Sequence, residues 1–455
     1  MTLSIYDTLT RTVKPVSSIN GRTSMYCCGP TVYRDAHVGN LRTFVLSDLI
    51  RRTIEITGGE VDLIQNITDV GHMSEDVVDR DKILSQAAAE QRDPFEIARK
   101  YEENFHKDLS RLNLKVARKY PRASESIQLM IHMISKLLAD GYAYIGEDHS
   151  VYFDSRAYQG YGQISGNRLE LLKPGHRYEY SDESGKRFHA DWALWKSAGE
   201  RREMIWDSPW GEGFPGWHIE CSAMSMEFLN MHVDVHVGGI DLRFPHHENE
   251  RAQSNAVIGT ETVDLWVHGE HLLFEGRKMS KSAENVVLLS DLIAKGLDPL
   301  SARLCFLENR FRSQMDLTWD SLEIADAQLN KWRKKTAQWG ESSEYLIDRE
   351  FLNSMENDLD TPRALQRLRE VEKSNEIADA DKRAIFIYAD CVLALDLTRA
   401  NSQEKISKEQ QDLLAARLTA RLEKRWSESD KLRSELEATG LEINDSATGQ
   451  EWSWR

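Results

Sequence analysis

Residues 216–250, GWHIECSAMSMEFLNMHVDVHVGGIDLRFPHHENE, concentrate side chains suited to binding a soft metal. Cys221 supplies a thiol. His246 and Glu250 stand four positions apart, a spacing that puts two side chains on one face of a helix. Zinc is bound by cysteine sulfur, histidine nitrogen and carboxylate oxygen, usually four ligands in all. One more soft donor would complete the set, and the best placed is Cys28, in CCGPTVYRDAHVGN, where a Gly-Pro turn leads towards a helix start. Singly, these residues have ordinary readings: a small buried hydrophobe for Cys221 and a helix cap for His246. Together, beside two phosphate-type motifs, they point to a metal centre.

The first of those motifs lies between a strand and a helix. RTSMYCCGPTVY reads as a short apolar strand that breaks at Gly29-Pro30, and HVGNLRTFVLSDLIRRTIEI carries Leu41, Phe44, Val45, Leu49 and Ile50 at helical spacing. Strand, turn and helix make a nucleotide site, because a helix N-terminus offers unpaired N–H groups and a positive dipole end to phosphate. In the turn, His37 can donate a hydrogen bond to phosphate, and Gly39 lets a ring or phosphate approach the backbone. Four residues such as H-x-G-N occur by accident. The second motif, RKMSKSAENVV, places Lys278 and Lys281 on a Ser-rich loop. Two ammonium groups there can follow charge building on a pyrophosphate leaving group, which is stabilisation by placement rather than acid-base chemistry.

The supporting elements read as a doubly wound α/β fold. EVDLIQNITDV forms the next strand, so strand-helix-strand gives a parallel sheet with ligands at the strands' carboxyl ends, where Thr68 falls. In DVHVGGIDLRF, Val233, Val235 and Val237 alternate with Asp234 and His236, then Gly238-Gly239 turns the chain and leaves Asp241 at its mouth. His236 and Asp241 are candidate contacts to a substrate ammonium group and a nucleotide; the ordinary reading of Asp241 is a turn acid or helix cap. Residues 90–140 read as helical, and 141–200, rich in Tyr, Gly and His, as small strands and turns. From residue 320 the chain is rich in Ala, Leu, Glu and Lys, with Leu365, Leu368 and Val371 suiting the buried stripe of a helix bundle. Near the end, Leu414, Leu418, Leu422 and Trp426 recur every four residues in a basic amphipathic helix, before a short strand with Trp452 and Trp454.

At 455 residues the chain exceeds the length at which single cores divide, and three or four units are expected. No apolar run approaches the ~20 residues that span a bilayer, and MTLSIYDTLTRTVKPV lacks a signal peptide's apolar core, so no membrane role and a cytoplasmic location are expected. Five cysteines without dense, even spacing are metal ligands or buried thiols, the latter for Cys27, Cys305 and Cys391. A net charge of −16 argues against a general nucleic-acid coat protein but permits local basic faces.

In sequence order, CGPTVYRDAHVGN, GWHIECSAM, GGIDLRFPHHENE and KMSKS resemble the cysteinyl-tRNA synthetases, class I aminoacyl-tRNA synthetases, and the resemblance runs nearly end to end. It implies a Rossmann-type catalytic domain with an inserted connective peptide, then a tRNA-binding helical bundle and a small α+β anticodon-binding domain. The expected boundaries are 1–120 and 206–265 for the catalytic halves, 121–205 for the insertion, 266–320 for the KMSKS and stem-contact region, 321–405 for the bundle and 406–455 for the last domain. It makes HVGN the HIGH-type motif, with His37, Gly39 and Asn40 as ATP contacts, and makes Lys278 and Lys281 the catalytic loop lysines. Thr68 then holds the amino acid, Trp217 lies against the substrate, and Cys28, Cys221, His246 and Glu250 hold one zinc ion. The implied partners are ATP with Mg2+, L-cysteine and tRNA(Cys), acting on a monomer.

The implied reaction forms cysteinyl-adenylate and pyrophosphate, then transfers cysteine to the 3′ end of tRNA. No protein general base is assigned to the second step; the adenylate phosphate is the expected proton acceptor. Zinc recognition of the substrate thiolate against serine makes an editing domain unnecessary, since sites built on one specific polar interaction reject analogues by ~10⁴–10⁵. The sequence departs from the family at Gly71-His72, where many members have an acidic run, at Val237, where Gly is usual, and at Glu284, which replaces the Gly of KMSKS-x-G-N. Two other readings are a ligase joining cysteine to a small amine, which lacks an anticodon domain, and a degenerate binding paralogue, with Val237 and Glu284 as its marks.

Overall fold

Four strands, Arg22–Cys27, Glu60–Gln65, Val233–Gly239 and Val263–Gly269, pair in parallel. Val263–Gly269 and Glu60–Gln65 lie at the edges, with Val233–Gly239 beside Arg22–Cys27 between them. The chain therefore winds outwards in both directions from these two central strands, and their carboxyl ends flank the crevice where doubly wound sheets bind ligands. This computed structural model describes residues 3–18, 21–71, 73–74, 77–172, 185–279, 285–341, 344–399, 407–439, 441–446 and 449–454.

Side-chain alternation divides the sheet's two faces. Met25, Cys27, Val235, Val237, Leu265 and Val267 pack in one core with Leu41, Val45 and Leu49 of the helix Val38–Ile56. Tyr26, Ile64 and Trp266 pack in the other with Ile219 and Met224 of the helix Trp217–Phe228 and Ala252 of Glu248–Ile258. Helices cover both faces, as a parallel sheet requires. Val237 belongs to the first core, opposite the face that carries His236, so its departure from the usual glycine adds bulk away from the metal-ligand candidates.

Between the second and third parallel strands in sequence, Ala143–Ile145, Val151–Phe153, Trp192–Ser197 and Gly213–Pro215 form an antiparallel sheet in that order. Its Trp192 and Trp195 are buried. Downstream, Leu272–Phe274 pairs with Arg277–Lys278 on one side and Met315–Leu317 on the other. The helices Trp319–Gln338, Arg349–Glu356, Thr361–Lys373 and Asp379–Leu393 follow, and Leu365, Leu368 and Val371 are fully buried. Buried Arg303 ties these parts together: its guanidinium donates to Asp48 Oδ2 at 2.6 Å, Leu112 O at 2.8 Å and Leu393 O at 2.7 Å.

The chain divides into two compact units, Met1–Thr398 and Arg399–Arg455. In the second, helices Lys408–Leu422 and Trp426–Ala438 stand before an antiparallel hairpin, Leu441–Ser446 with Gly449–Trp454, around a core of Leu414, Leu436, Leu441 and Ile443. The expected single amphipathic helix is thus two, because Lys424 adopts φ 59° and breaks the run. Of its apolar stripe only Leu414 is buried; Leu422 and Trp426 are 77% and 56% exposed, whereas Arg417 is buried and donates to Gln450 Oε1 at 2.7 Å. Cys27 and Cys305 are buried as expected, but Cys391, on the last turn of its helix, is exposed. Among the described residues, no helix is long and apolar enough to cross a membrane.

Candidate active site

The carboxyl ends of the two central strands build the site. Leaving its strand, Cys28 donates its N–H to Val237 O at 3.3 Å, which holds the Cys28 backbone beside the neighbouring strand. Gly29 then donates to Asn66 Oδ1 at 2.8 Å, and a Cβ at Gly29 would lie 1.6 Å from the Asn66 carbonyl oxygen. Cys221 arrives on the helix Trp217–Phe228. His246 and Glu250 arrive differently from a simple helical pair: regular helix begins only at Glu248, after a wide turn, Arg243–His247, in which Phe244 is extended. The pair still meets, His246 Nε2 lying 2.9 Å from Glu250 Oε1. Side-chain donors of Cys28, Cys221, His246 and Glu250 all lie within 4.8 Å of one another, and all four residues are buried.

Electrostatics in this buried cluster are those of anions held together by protons. Burial drives the Cys28 thiol well above its ordinary range, and neighbouring Cys221 pushes it the same way. Burial opposes ionisation of Cys221 too, yet hydrogen bonding with Cys28 and the His246 charge hold its thiol below the ordinary value. For His246 burial works downwards, but Glu250 and Cys221 lift it to about 10. Glu250 is likewise lowered, against its burial, by the His236 and His246 charges. Its Oε2 has no hydrogen-bond partner among the described residues. Two thiols, an imidazole and a carboxylate with an unsatisfied oxygen are a donor set that fits zinc, which displaces protons from such ligands on binding.

The surrounding side chains include several that spacing did not single out. His218 Nδ1 meets His246 Nδ1 at 2.8 Å, and the Trp217 ring packs against His246 with centroids 4.3 Å apart, so Nε2 of His246 is the nitrogen aimed at the chamber. Thr68 is buried and donates to Glu220 Oε2 at 3.0 Å; burial raises the Glu220 carboxyl well above its usual range. His236, lowered to about 4 by burial, stacks on Trp266 and points Nε2 at Cys28 Sγ, 3.5 Å away. Glu220 and His218 lay inside GWHIECS, and their types next to Cys221 were the available signal; the pairing of Glu220 with Thr68, 152 positions away, had none.

At the same carboxyl edge, His37 caps the helix Val38–Ile56, its Nδ1 accepting the Asn40 N–H at 3.2 Å. Burial and the Arg34 charge lower it to about 4, so the ring is neutral near pH 7. With Nδ1 accepting, the proton resides on Nε2, which is left as a donor of the kind a phosphate oxygen needs. Asn40 and Asp241 are exposed, and the Asp241 charge acts on His37. Gly39 makes room for protein: a Cβ there would lie 2.9 Å from Met279 Cε. Val38 N–H donates to Val287 O at 3.0 Å, so the HVGN turn and the residues flanking the lysine loop are in contact. Lys278 is exposed on its short edge strand, whereas Lys281, Glu284 and His72 lie outside the described residues.

Residues 14–327 match the family of tRNA synthetases class I (C) catalytic domains. Residues 403–452 match the cysteinyl-tRNA ligase anticodon binding domain. The chain is 39% identical to a cysteine–tRNA ligase of Thermus thermophilus, over 99% of both chains. It is 40% identical to cysteine–tRNA ligase 1 of Burkholderia lata, over 99% of this chain and 96% of that one. Among solved structures it is similar to Mycobacterium tuberculosis methionyl-tRNA synthetase in complex with methionyl-adenylate, at 13% identity and a TM-score of 0.53 over 82% of this chain and 90% of that one. It is also similar to the Agrobacterium radiobacter LeuRS–tRNA–LeuAMS complex, at 9% identity and a TM-score of 0.59 over 85% and 86%. These two likenesses concern the fold.

Proposed function

The chain belongs to the cysteine–tRNA ligase family of class I aminoacyl-tRNA synthetases, and from that membership we propose that it activates L-cysteine with Mg-ATP and charges tRNA(Cys), using one zinc ion to recognise the substrate thiol. The observation that carries the zinc reading is the buried set of Cys28, Cys221, His246 and Glu250 at the point where the sheet's winding reverses. When bound, zinc supplies a soft, thiolate-selective contact that serine's harder hydroxyl does not match.

The chain's own residues do the rest. His218 and Trp217 hold His246 in orientation, Thr68 and His236 receive the amino-acid end of the substrate, and Asp241 meets the adenylate. Glu220 fixes the Thr68 hydroxyl. His37, through Nε2–H, and Asn40 meet the ATP phosphates, and Gly39 keeps the approach clear. Lys278 and Lys281 stabilise the charge that develops on pyrophosphate as the cysteine carboxylate attacks the α-phosphorus. The match of residues 403–452 to an anticodon-binding domain supports tRNA as the acceptor.

The test is zinc-replete protein with labelled cysteine and ATP, with and without tRNA(Cys). Label on acid-precipitable tRNA is the expected result. Cysteine-dependent pyrophosphate exchange without charging would transfer the reading to a small-amine acceptor, and ATP binding with neither signal would leave a binding paralogue. Cys221→Ser should lose zinc and cysteine activation together; full activity in a zinc-free Cys221→Ser protein would defeat the zinc reading.

A further inference from the structure

The chamber holds more donors than one metal ion needs. Besides Cys221 and His246, two more imidazoles turn Nε2 towards the same Cys28 and Glu250. Cys28 Sγ lies 3.5 Å from His236 Nε2, 3.3 Å from His247 Nε2 and 3.6 Å from Glu250 Oε1. His236 Nε2 is 3.5 Å from Glu250 Oε2, and His247 Nε2 is 3.9 Å from Oε1. A tetrahedral zinc ion, with its usual bonds to nitrogen, oxygen and sulfur, separates its donors by about 3.3–3.8 Å. All four donor atoms fall within 4.8 Å, and all four residues are buried.

What surrounds these histidines suits ligation. A metal-bound imidazole needs its other nitrogen held. His247 Nδ1 meets His268 Nε2 at 2.9 Å, and His268 Nδ1 meets Thr8 Oγ1 at 2.8 Å. His236 lacks that hold, its Nδ1 having no hydrogen-bond partner among the described residues, and its ring is fixed instead by stacking on Trp266, centroids 4.6 Å apart. A Cβ at Gly238 would lie 2.5 Å from the His247 ring, so the missing side chain is what admits that ring. Glu250 faces both sets: Oε1 lies beside His246, Cys28 and His247, and Oε2, without a hydrogen-bond partner among the described residues, is nearest His236.

We propose that Cys28, His236, His247 and Glu250 form a second seat for one borderline divalent cation, overlapping the seat made with Cys221 and His246 and exclusive of it, because both draw on Cys28 and Glu250. An ion in this second seat takes His236 away from the substrate's ammonium group and leaves Cys221 unligated, so it is an inactive position. It rests on the zinc reading above and adds to it an inactive position for the same ion.

Cobalt(II) titration of the full-length chain, followed by absorbance, separates the seats, because thiolate-to-cobalt bands scale with the number of thiolates bound. Cys221→Ala/His246→Ala removes two donors from the first seat and none from the second. This variant should bind one cobalt with a thiolate band about half as intense as a two-thiolate site gives, and adding His247→Gln should abolish binding. A folded double variant, judged by circular dichroism, that binds no cobalt overturns the second seat while a two-thiolate spectrum in the unaltered chain leaves the first intact. An unaltered chain that binds no cobalt defeats both. If the double variant does not fold, Cys221→Ala alone serves: retained cobalt that His247→Gln removes is the expected result, and retained cobalt indifferent to His247→Gln overturns the proposal.

Discussion

Gly29 is where the smallest change should do the most. A Cβ built there lies 1.6 Å from the Asn66 carbonyl oxygen and 2.7 Å from its carbonyl carbon, backbone atoms with no rotamer to yield. Non-bonded heavy atoms settle at about 3.5–4.0 Å, so Gly29→Ala must separate two strand ends by more than an ångström. One end carries Cys28 and the other leads into Asn66 and Thr68, so the proposed metal donor and the proposed substrate contact move apart together. A misplacement of about 1 Å costs on the order of 100-fold in rate, and overpacking of this kind costs about 1–3 kcal/mol of stability. Cysteine-dependent ATP–pyrophosphate exchange should therefore fall by about 100-fold, with zinc lost from the purified protein and the chain still folded. Gly39→Ala provides the graded comparison. Its Cβ meets Met279 Cε, the far end of a flexible side chain, at 2.9 Å and the His37 ring at 3.0 Å. It should raise the KM for ATP while keeping zinc. Full zinc content with exchange within about threefold of normal for Gly29→Ala, or greater damage from Gly39→Ala, would refute the reasoning.

Thr68→Val removes the hydroxyl that Glu220 fixes; the KM for cysteine should rise about 10–100-fold, the cost of one buried polar contact, with the KM for ATP steady, and an unchanged KM for cysteine would count against the assignment. Arg303→Met removes one of Asp48's partners, leaving Arg52 Nε at 2.7 Å, and frees two buried carbonyls, so denaturant titration should find about 2–4 kcal/mol of lost stability, and a loss below about 1 kcal/mol would contradict it. Burial lowers His268 from 6.5 to about 3. The unfolded chain then takes up that proton first, so stability falls as pH drops from about 6.5 towards 3. His268→Gln should flatten this acid limb in urea midpoints of chelated protein; an unaltered slope would show that another group causes it.

Much of this protein was legible in its residues because the determining physics is local. Alternating valines at 233, 235 and 237, the run Leu41 to Ile50, and the Gly-Pro break after Cys28 each report which face a side chain must bury, and the structure bears out the parallel, doubly wound sheet they implied. Donor chemistry is local as well: Cys221 and the His246–Glu250 pair are candidate soft-metal donors by residue type and spacing alone. The C-terminal stripe was less legible, because a four-residue spacing persists across a helix break that one left-handed residue, Lys424, creates. What the tertiary structure alone decided is which donors share a chamber. Cys28 joins this cluster because its strand lies beside Val233–Gly239, a parallel pairing made across about 200 residues of chain. The same pairing delivers His236, and the wide turn before Glu248 presents His247 beside His246. Sequence spacing states what each residue can bind, but parallel strands meet only through long crossovers, so proximity was settled by the sheet.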